Sequence, residues 1–163
     1  MDALLLKKIV DERAIRILLT NYCLALDIMD LTAVANIFTE DCVVKFGPDE
    51  RLNSQGRKQV AKSLERMWRW SRTSHHLSNV KIKFEGEDCA FSTSYVLAWH
   101  EKPNKKTATI YGQYHDELVR KINGWQIRRR TMYMNGNNAE FTVGIYPFER
   151  AEPPEGWTPP SID

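Results

Sequence analysis

The stretch that decides the fold is CAFSTSYVLAWHEKPNKKTATIYGQYHDELVRKINGWQIRRRTMYMN, residues 89–135. It reads as three long strands, Cys89 to Trp99, Thr107 to Lys121 and Trp125 to Asn135. Turn signals at Pro103-Asn104-Lys105 and Asn123-Gly124 separate them. Upstream, His76 to Phe84 alternates through Ser78, Val80, Ile82 and Phe84 and ends at Gly86-Glu87-Asp88, which adds a fourth strand. Four long consecutive strands predict an antiparallel meander, and a sheet of such strands must twist and can curl around other elements.

The first half of the chain supplies those elements. Ile15, Leu18, Leu19, Tyr22 and Leu26 recur at spacings of three and four, so they line one face of a helix. Asp30 is placed to cap a short second helix ending at Asn36 or Phe38. Cys42 to Phe46 reads as a strand stopped by Gly47-Pro48-Asp49. From Arg57 to Trp70 a helical period returns through Val60, Leu64, Met67 and Trp68, with Lys58, Lys62, Glu65 and Arg69 outside. The expected class is α+β, with residues 1–150 as one domain and the proline-rich 151–163 as an extended tail.

Composition narrows the function. The charge is nearly balanced, with 23 basic and 21 acidic residues, and the basic runs Arg128-Arg129-Arg130 and Lys102 with Lys105-Lys106 are short and separated. Neither a nucleic-acid partner nor a membrane partner is expected. Cys23, Cys42 and Cys89 lie in apolar contexts, are odd in number and lack metal-ligand spacing, so a reducing, cytoplasmic setting is the default expectation. No zinc pattern and no phosphate-cradling glycine loop occurs, and neither metal nor cofactor is expected.

Chemistry is suggested by an aspartate, Asp27, ending the apolar run Tyr22-Cys23-Leu24-Ala25-Leu26, together with the neighbouring His75 and His76. A carboxylate that holds an imidazole fixes its tautomer and stabilises the imidazolium, which makes a cofactor-free acid/base device. Considered alone, Asp27 also suits a simple capping role, and Arg130 suits an ion pair with Asp116 or Glu117 on the next strand.

The motifs Tyr22-x4-Asp27-x2-Asp30, Thr73-Ser74-His75-His76-Leu77-Ser78-Asn79 and Gly112-x-Tyr114-x-Asp116 running into Gly124-Trp125-x4-Arg130, in that order, resemble one family. It is the SnoaL-like branch of the nuclear transport factor 2-like superfamily, which holds scytalone dehydratase, hexachlorocyclohexane dehydrochlorinase and the bile-acid 7α-dehydratases. The resemblance covers roughly residues 8–136. It implies a cone-shaped curved sheet wrapped around the N-terminal helices.

It also implies a catalytic Asp27, a pocket tyrosine at Tyr22, an Arg130 that stabilises developing negative charge, and a second active-site histidine at His100. His75 matches the catalytic base, lying four residues before Asn79. Neighbours on a strand face opposite ways, so one of the pair points inward, and a bulge would exchange them. Tyr95, Trp99, Tyr114, Met132 and Trp68 are expected around the pocket, with strand alternation turning only about half of such wall residues inward.

The implied activity is a cofactor-independent lyase, a dehydratase or related elimination, acting on a hydrophobic cyclic small molecule. A double-bond isomerase of the same fold is the nearest alternative. A non-catalytic subunit, like the β subunits of ring-hydroxylating dioxygenases, is the other. Related dehydratases imply a homo-oligomer, trimer or dimer, with Phe141 to Phe148 as a segment that covers the pocket.

Overall fold

The computed structural model describes residues 2–139, 144–147, 152 and 154–157. Helix α1 (Ala3–Asp27) starts at Asp2, whose carboxylate accepts from the Leu4 amide, and buries a stripe of Asp11, Ile15, Leu19, Tyr22 and Leu26. These spacings of three and four give the helix one wet face and one that packs on the sheet. Met29, at φ 59°, turns the chain into α2 (Leu31–Asn36), where Asp30 caps the Ala33 amide as expected.

Strand β1 (Phe38–Lys45) pairs antiparallel with the two-residue β2 (Ser54–Gln55) and leads to α3 (Arg57–Leu64). The expected helix to Trp70 does not continue in α form. Residues Glu65–Arg69 tighten into a 3-10 turn. Each 3-10 residue advances ~120° rather than ~100°, so over four residues the face rotates by about 80°. Met67 therefore stays under Leu64 and buried, whereas Trp68 swings out to 65% exposure.

The meander follows as β3 (Arg72–Glu85), β4 (Cys89–Glu101), β5 (Thr107–Lys121) and β6 (Gly124–Asn137), each pair antiparallel. β1 lies parallel to β6, as does the short β7 (Tyr146–Pro147), giving a curved, unclosed seven-stranded sheet in the order β2-β1-β6-β5-β4-β3 with β7 also on β6. The parallel partner of β6, the start of β1 at Phe38 rather than Cys42, and the strands β2 and β7 lie beyond the expectations from pattern.

Even-numbered residues of β4, from Ala90 through Val96 and Ala98 to His100, are buried on the inner face, and Phe91, Tyr95 and Leu97 are exposed on the other. The core forms where this inner face meets Ile15, Leu19, Tyr22 and Leu26 of α1. At the wide end of α1, Asp11 is buried by accepting from Trp125 Nε1 at 3.1 Å and Arg120 at 2.6 Å. A charged group inside the apolar stripe is tolerated because both oxygens are answered. The expected cover, Phe141 to Phe148, is described only at 144–147, and the tail only at 152 and 154–157.

Candidate active site

Asp27 is the last residue of α1, and the helix delivers it to the start of β3. Its Oδ1 lies 2.6 Å from His75 Nδ1 and 2.7 Å from the Thr73 hydroxyl, and its Oδ2 accepts from the His75 amide at 2.8 Å. Partial burial pushes the Asp27 carboxyl upward, but the donors of His75 and Thr73 outweigh it and hold the pKa below the usual carboxylate value. An ionised acceptor on Nδ1 requires the proton there, which leaves Nε2 of a neutral ring free to act as base. Thr73, within a quoted motif but not singled out by residue type, completes the set of donors that fix the carboxylate.

Which histidine turns inward is decided by a bulge. On β3, Ser78 pairs with Tyr95 and Lys81 with Thr93, so Asn79 and Val80 together face Ser94. Asn79 takes up the extra residue at φ 49°, a conformation Asn tolerates better than most side chains. His75 thereby pairs with Ala98 and its side chain is only 4% exposed, whereas His76 faces outward with Nε2 2.8 Å from the Ser74 hydroxyl.

The His75 ring lines a cavity of about 310 Å³. Tyr22, His100, Tyr114 and Met132 line it, with Leu26, Phe46, Leu52, Leu64, Met67, Trp70, Ala98, Ala108 and Ile110 making the rest of the wall largely apolar. Gly144 and Ile145, within the expected covering segment, also line it. Arg66, Arg69 and Asp49 contribute charge, and none of the three was singled out for the site by pattern. Arg66 and Arg69 fall in the 3-10 turn, where residues three apart eclipse and share a side.

His100 is 5% exposed, its ring edge-on to His75 at 5.4 Å and 4.9 Å from Trp70, with Nδ1 lacking a hydrogen-bond partner among the described residues. Burial, reinforced by His75, pulls its pKa down to about 4, so it is a neutral ring at physiological pH. The Tyr22 hydroxyl also has no hydrogen-bond partner among the described residues, and burial raises its pKa against the opposing pull of Arg130, so it stays a protonated phenol.

Four expectations are corrected. Trp68 lies outside the cavity because of the 3-10 rotation, and Tyr95 and Trp99 lie outside it because odd positions of β4 face the outer side of the sheet. Arg130 does not line the cavity either. It is fully buried behind the wall, paired to both oxygens of Asp116 at 2.7 and 2.8 Å and sandwiched between the rings of Tyr22 and Tyr114 at 4.2 and 4.1 Å. Arg128 and Arg129 both reach Glu117. The strand-pair ion bridge therefore describes Arg130 better than a direct contact with substrate. Among the described residues no three His, Cys, Asp or Glu side chains converge as metal ligands, and no helix is long and apolar enough to cross a membrane.

Comparison with known proteins fits this geometry. A candidate scytalone dehydratase from Novosphingobium aromaticivorans superposes with a TM-score of 0.84 at 32% identity, covering 90% of this chain and 98% of that one. A candidate aromatic ring hydroxylase from the same organism gives 0.69 at 28% identity, covering 76% and 88%. The hexachlorocyclohexane dehydrochlorinase LinA-type3 of Novosphingobium barchaimii shares the fold at a TM-score of 0.74 and 18% identity, covering 89% and 99%. No curated protein matches. The SnoaL-like domain matches residues 7–131, spanning α1, the dyad and most of the meander, and the chain therefore belongs to the SnoaL-like family of the nuclear transport factor 2-like superfamily.

Proposed function

We propose that the protein is a cofactor-independent lyase, a dehydratase or related eliminase, whose acid/base group is the Asp27–His75 dyad and whose substrate is a hydrophobic cyclic small molecule. The observation that carries the reading is the 2.6 Å contact between Asp27 Oδ1 and a His75 ring that is itself nearly sealed from bulk water yet lines a largely apolar cavity. The resemblance to a candidate dehydratase and a dehydrochlorinase supports the same class.

In the reaction, His75 Nε2 takes a proton from a carbon made acidic by a neighbouring carbonyl. The C–H electron pair becomes the new π bond as the adjacent C–O bond breaks, and the departing oxygen takes its electron pair with it. That oxygen leaves as water after receiving a proton from the His75 imidazolium, or from the Tyr22 phenol, in which case the imidazolium proton restores the phenol. Asp27 stabilises the imidazolium in between, and Arg130 positions Tyr22 from behind without meeting substrate. Returning the proton to a second carbon instead would make the same site an isomerase, which product analysis separates.

The test is turnover of hydroxylated cyclic ketones by the wild type, Asp27→Asn and His75→Ala. Each substitution should lower turnover by about 10²–10⁴-fold while near-UV circular dichroism stays native. Wild-type turnover that survives in His75→Ala, or that disappears in His76→Ala instead, sinks the assignment.

A further inference from the structure

A second feature of the same cavity concerns what the substrate carries. Most arginines that reach the sheet are answered by a carboxylate: Arg72 by Glu101, Arg120 by Asp11 and Asp88, Arg128 and Arg129 by Glu117, Arg130 by Asp116. Arg66 is different. It lines the cavity, and among the described residues no carboxylate lies within ion-pair distance of it. The one acidic lining residue, Asp49, is occupied by Arg51 through Nε and Nη2.

The guanidinium is nevertheless held in place. Its Nη1 donates to the Ser63 carbonyl at 2.5 Å and to the Ser63 hydroxyl, and its Cζ sits 5.1 Å from the Phe46 ring centroid. Nε and Nη2 have no hydrogen-bond partner among the described residues, and neither is sealed away from solvent. That leaves one edge of a fixed fork available, the pair of parallel N–H donors that matches a carboxylate with two hydrogen bonds. Burial lowers the Arg66 pKa, but an arginine so displaced is still a cation at neutral pH. A partly buried guanidinium with two adjacent N–H donors open is a ready partner for a carboxylate, which can displace the water there with a stronger, charge-assisted pair of hydrogen bonds. Arg69, eclipsed on the same 3-10 turn and lining the same cavity, adds a second positive charge nearby.

We propose that the Nε/Nη2 edge of Arg66 is the anchor for a carboxylate on the substrate, so that this site selects ring-containing acids over their neutral counterparts. The inference rests on the cavity being the substrate site. It assigns Arg66 a binding role distinct from the proton transfer at His75. The dyad works on one end of the molecule while Arg66 fixes the other, and the apolar wall between them takes the ring.

The experiment measures binding of 2-naphthoate and of 2-naphthamide to the full chain by calorimetry, with quenching of tryptophan fluorescence as a second readout, since Trp70 lines the cavity. The wild type should prefer the acid about tenfold or more, as a charge-assisted pair requires. Arg66→Gln should erase the preference, and Arg66→Lys, which keeps the charge but not the fork, should keep only part of it. Equal affinity for the two probes, binding of neither, or a preference that survives in Arg66→Gln would overturn the anchor. If Arg66→Gln does not fold, a preference undiminished in Arg66→Lys overturns the fork. Wild-type turnover separates the two readings. An acid preference that Arg66→Gln erases, in a wild type that turns over no hydroxylated cyclic ketone or acid, would sink the lyase and leave the anchor standing.

Discussion

Asp116→Asn tests whether the pair behind the cavity wall is held as the geometry requires. Both side chains of the Asp116–Arg130 pair are 0% exposed, and two hydrogen bonds of 2.7 and 2.8 Å join them. Arg130 Nη1 already lacks a partner among the described residues, so the guanidinium has little to fall back on. Replacing the carboxylate by an amide leaves a full charge buried between two aromatic rings with no counter-ion, and breaking such a pair costs about 3–5 kcal/mol. For a chain of 163 residues, each kcal/mol lowers Tm by about 2–4 °C, so a fall of about 10 °C is expected. Urea unfolding followed by tryptophan fluorescence gives the free energy directly. The double variant Asp116→Leu/Arg130→Met removes both charges and should recover most of the loss, because an apolar pair of similar volume is about neutral. A single variant within about 1 kcal/mol of wild type, or a double variant as unstable as the single, would refute the reasoning.

Three further outcomes follow from other contacts. His100, with its pKa at about 4 in the fold against ~6.5 unfolded, binds fewer protons folded than unfolded between those values. Stability should therefore fall by about 3 kcal/mol as pH drops from 6.5 to 4; His100→Gln should flatten that part of the pH–stability curve, and an unchanged slope would contradict the burial. Deleting Asn79 removes the extra residue of β3 while leaving Ser78 opposite Tyr95 and His75 opposite Ala98. The variant should keep the downfield proton signal of the Asp27–His75 hydrogen bond, and its loss in a folded variant would refute the register. On the outer sheet face Leu97 pairs with Tyr111, and both are exposed, at 39% and 48%, beside Tyr95 at 37%. Sedimentation velocity should show a homo-oligomer that Tyr111→Lys dissociates, and a monomeric wild type would assign this face no such role.

The meander and the buried stripe of α1 were legible because each strand carries its own period and each turn its own residues. Gly86, Asn123 and Gly124 mark chain reversals by local chemistry alone, and Ile15 to Leu26 mark a helix face by spacing alone. What was not legible depends on partners distant in sequence. β1 pairs with a strand some eighty residues later, and nothing in Phe38 to Cys42 announces it. The 3-10 turn at Glu65–Arg69 carries no glycine or proline, so its rotation of Trp68 outward could not be read from periodicity. Nothing local to Asp11 marks it as buried, because the groups that close over it, Arg120 and Trp125, lie 109 and 114 residues away.

The choice between His75 and His76 shows how narrowly such a site can depend on register. Val80, Ile82 and Phe84 are inward residues packed against the core. Continuing their alternation backwards without interruption would carry Ser78 and His76 to the same face and put His76 opposite Ala98. The residues flanking the histidines do not prevent this, since Ser74 and Ser78 are as acceptable inside as outside. One extra residue at Asn79 reverses the parity, so that Leu77 and His75 join Val80 on the inner face. Once there, His75 meets the end of α1 at the point where the apolar stripe gives way to Asp27, and its own backbone amide binds the second carboxylate oxygen. A regular strand would have presented Asp27 with His76 instead, and with the Ser74 hydroxyl in place of Thr73. The bulge thus decides which of the two adjacent histidines this sequence delivers to the carboxylate, from four residues away.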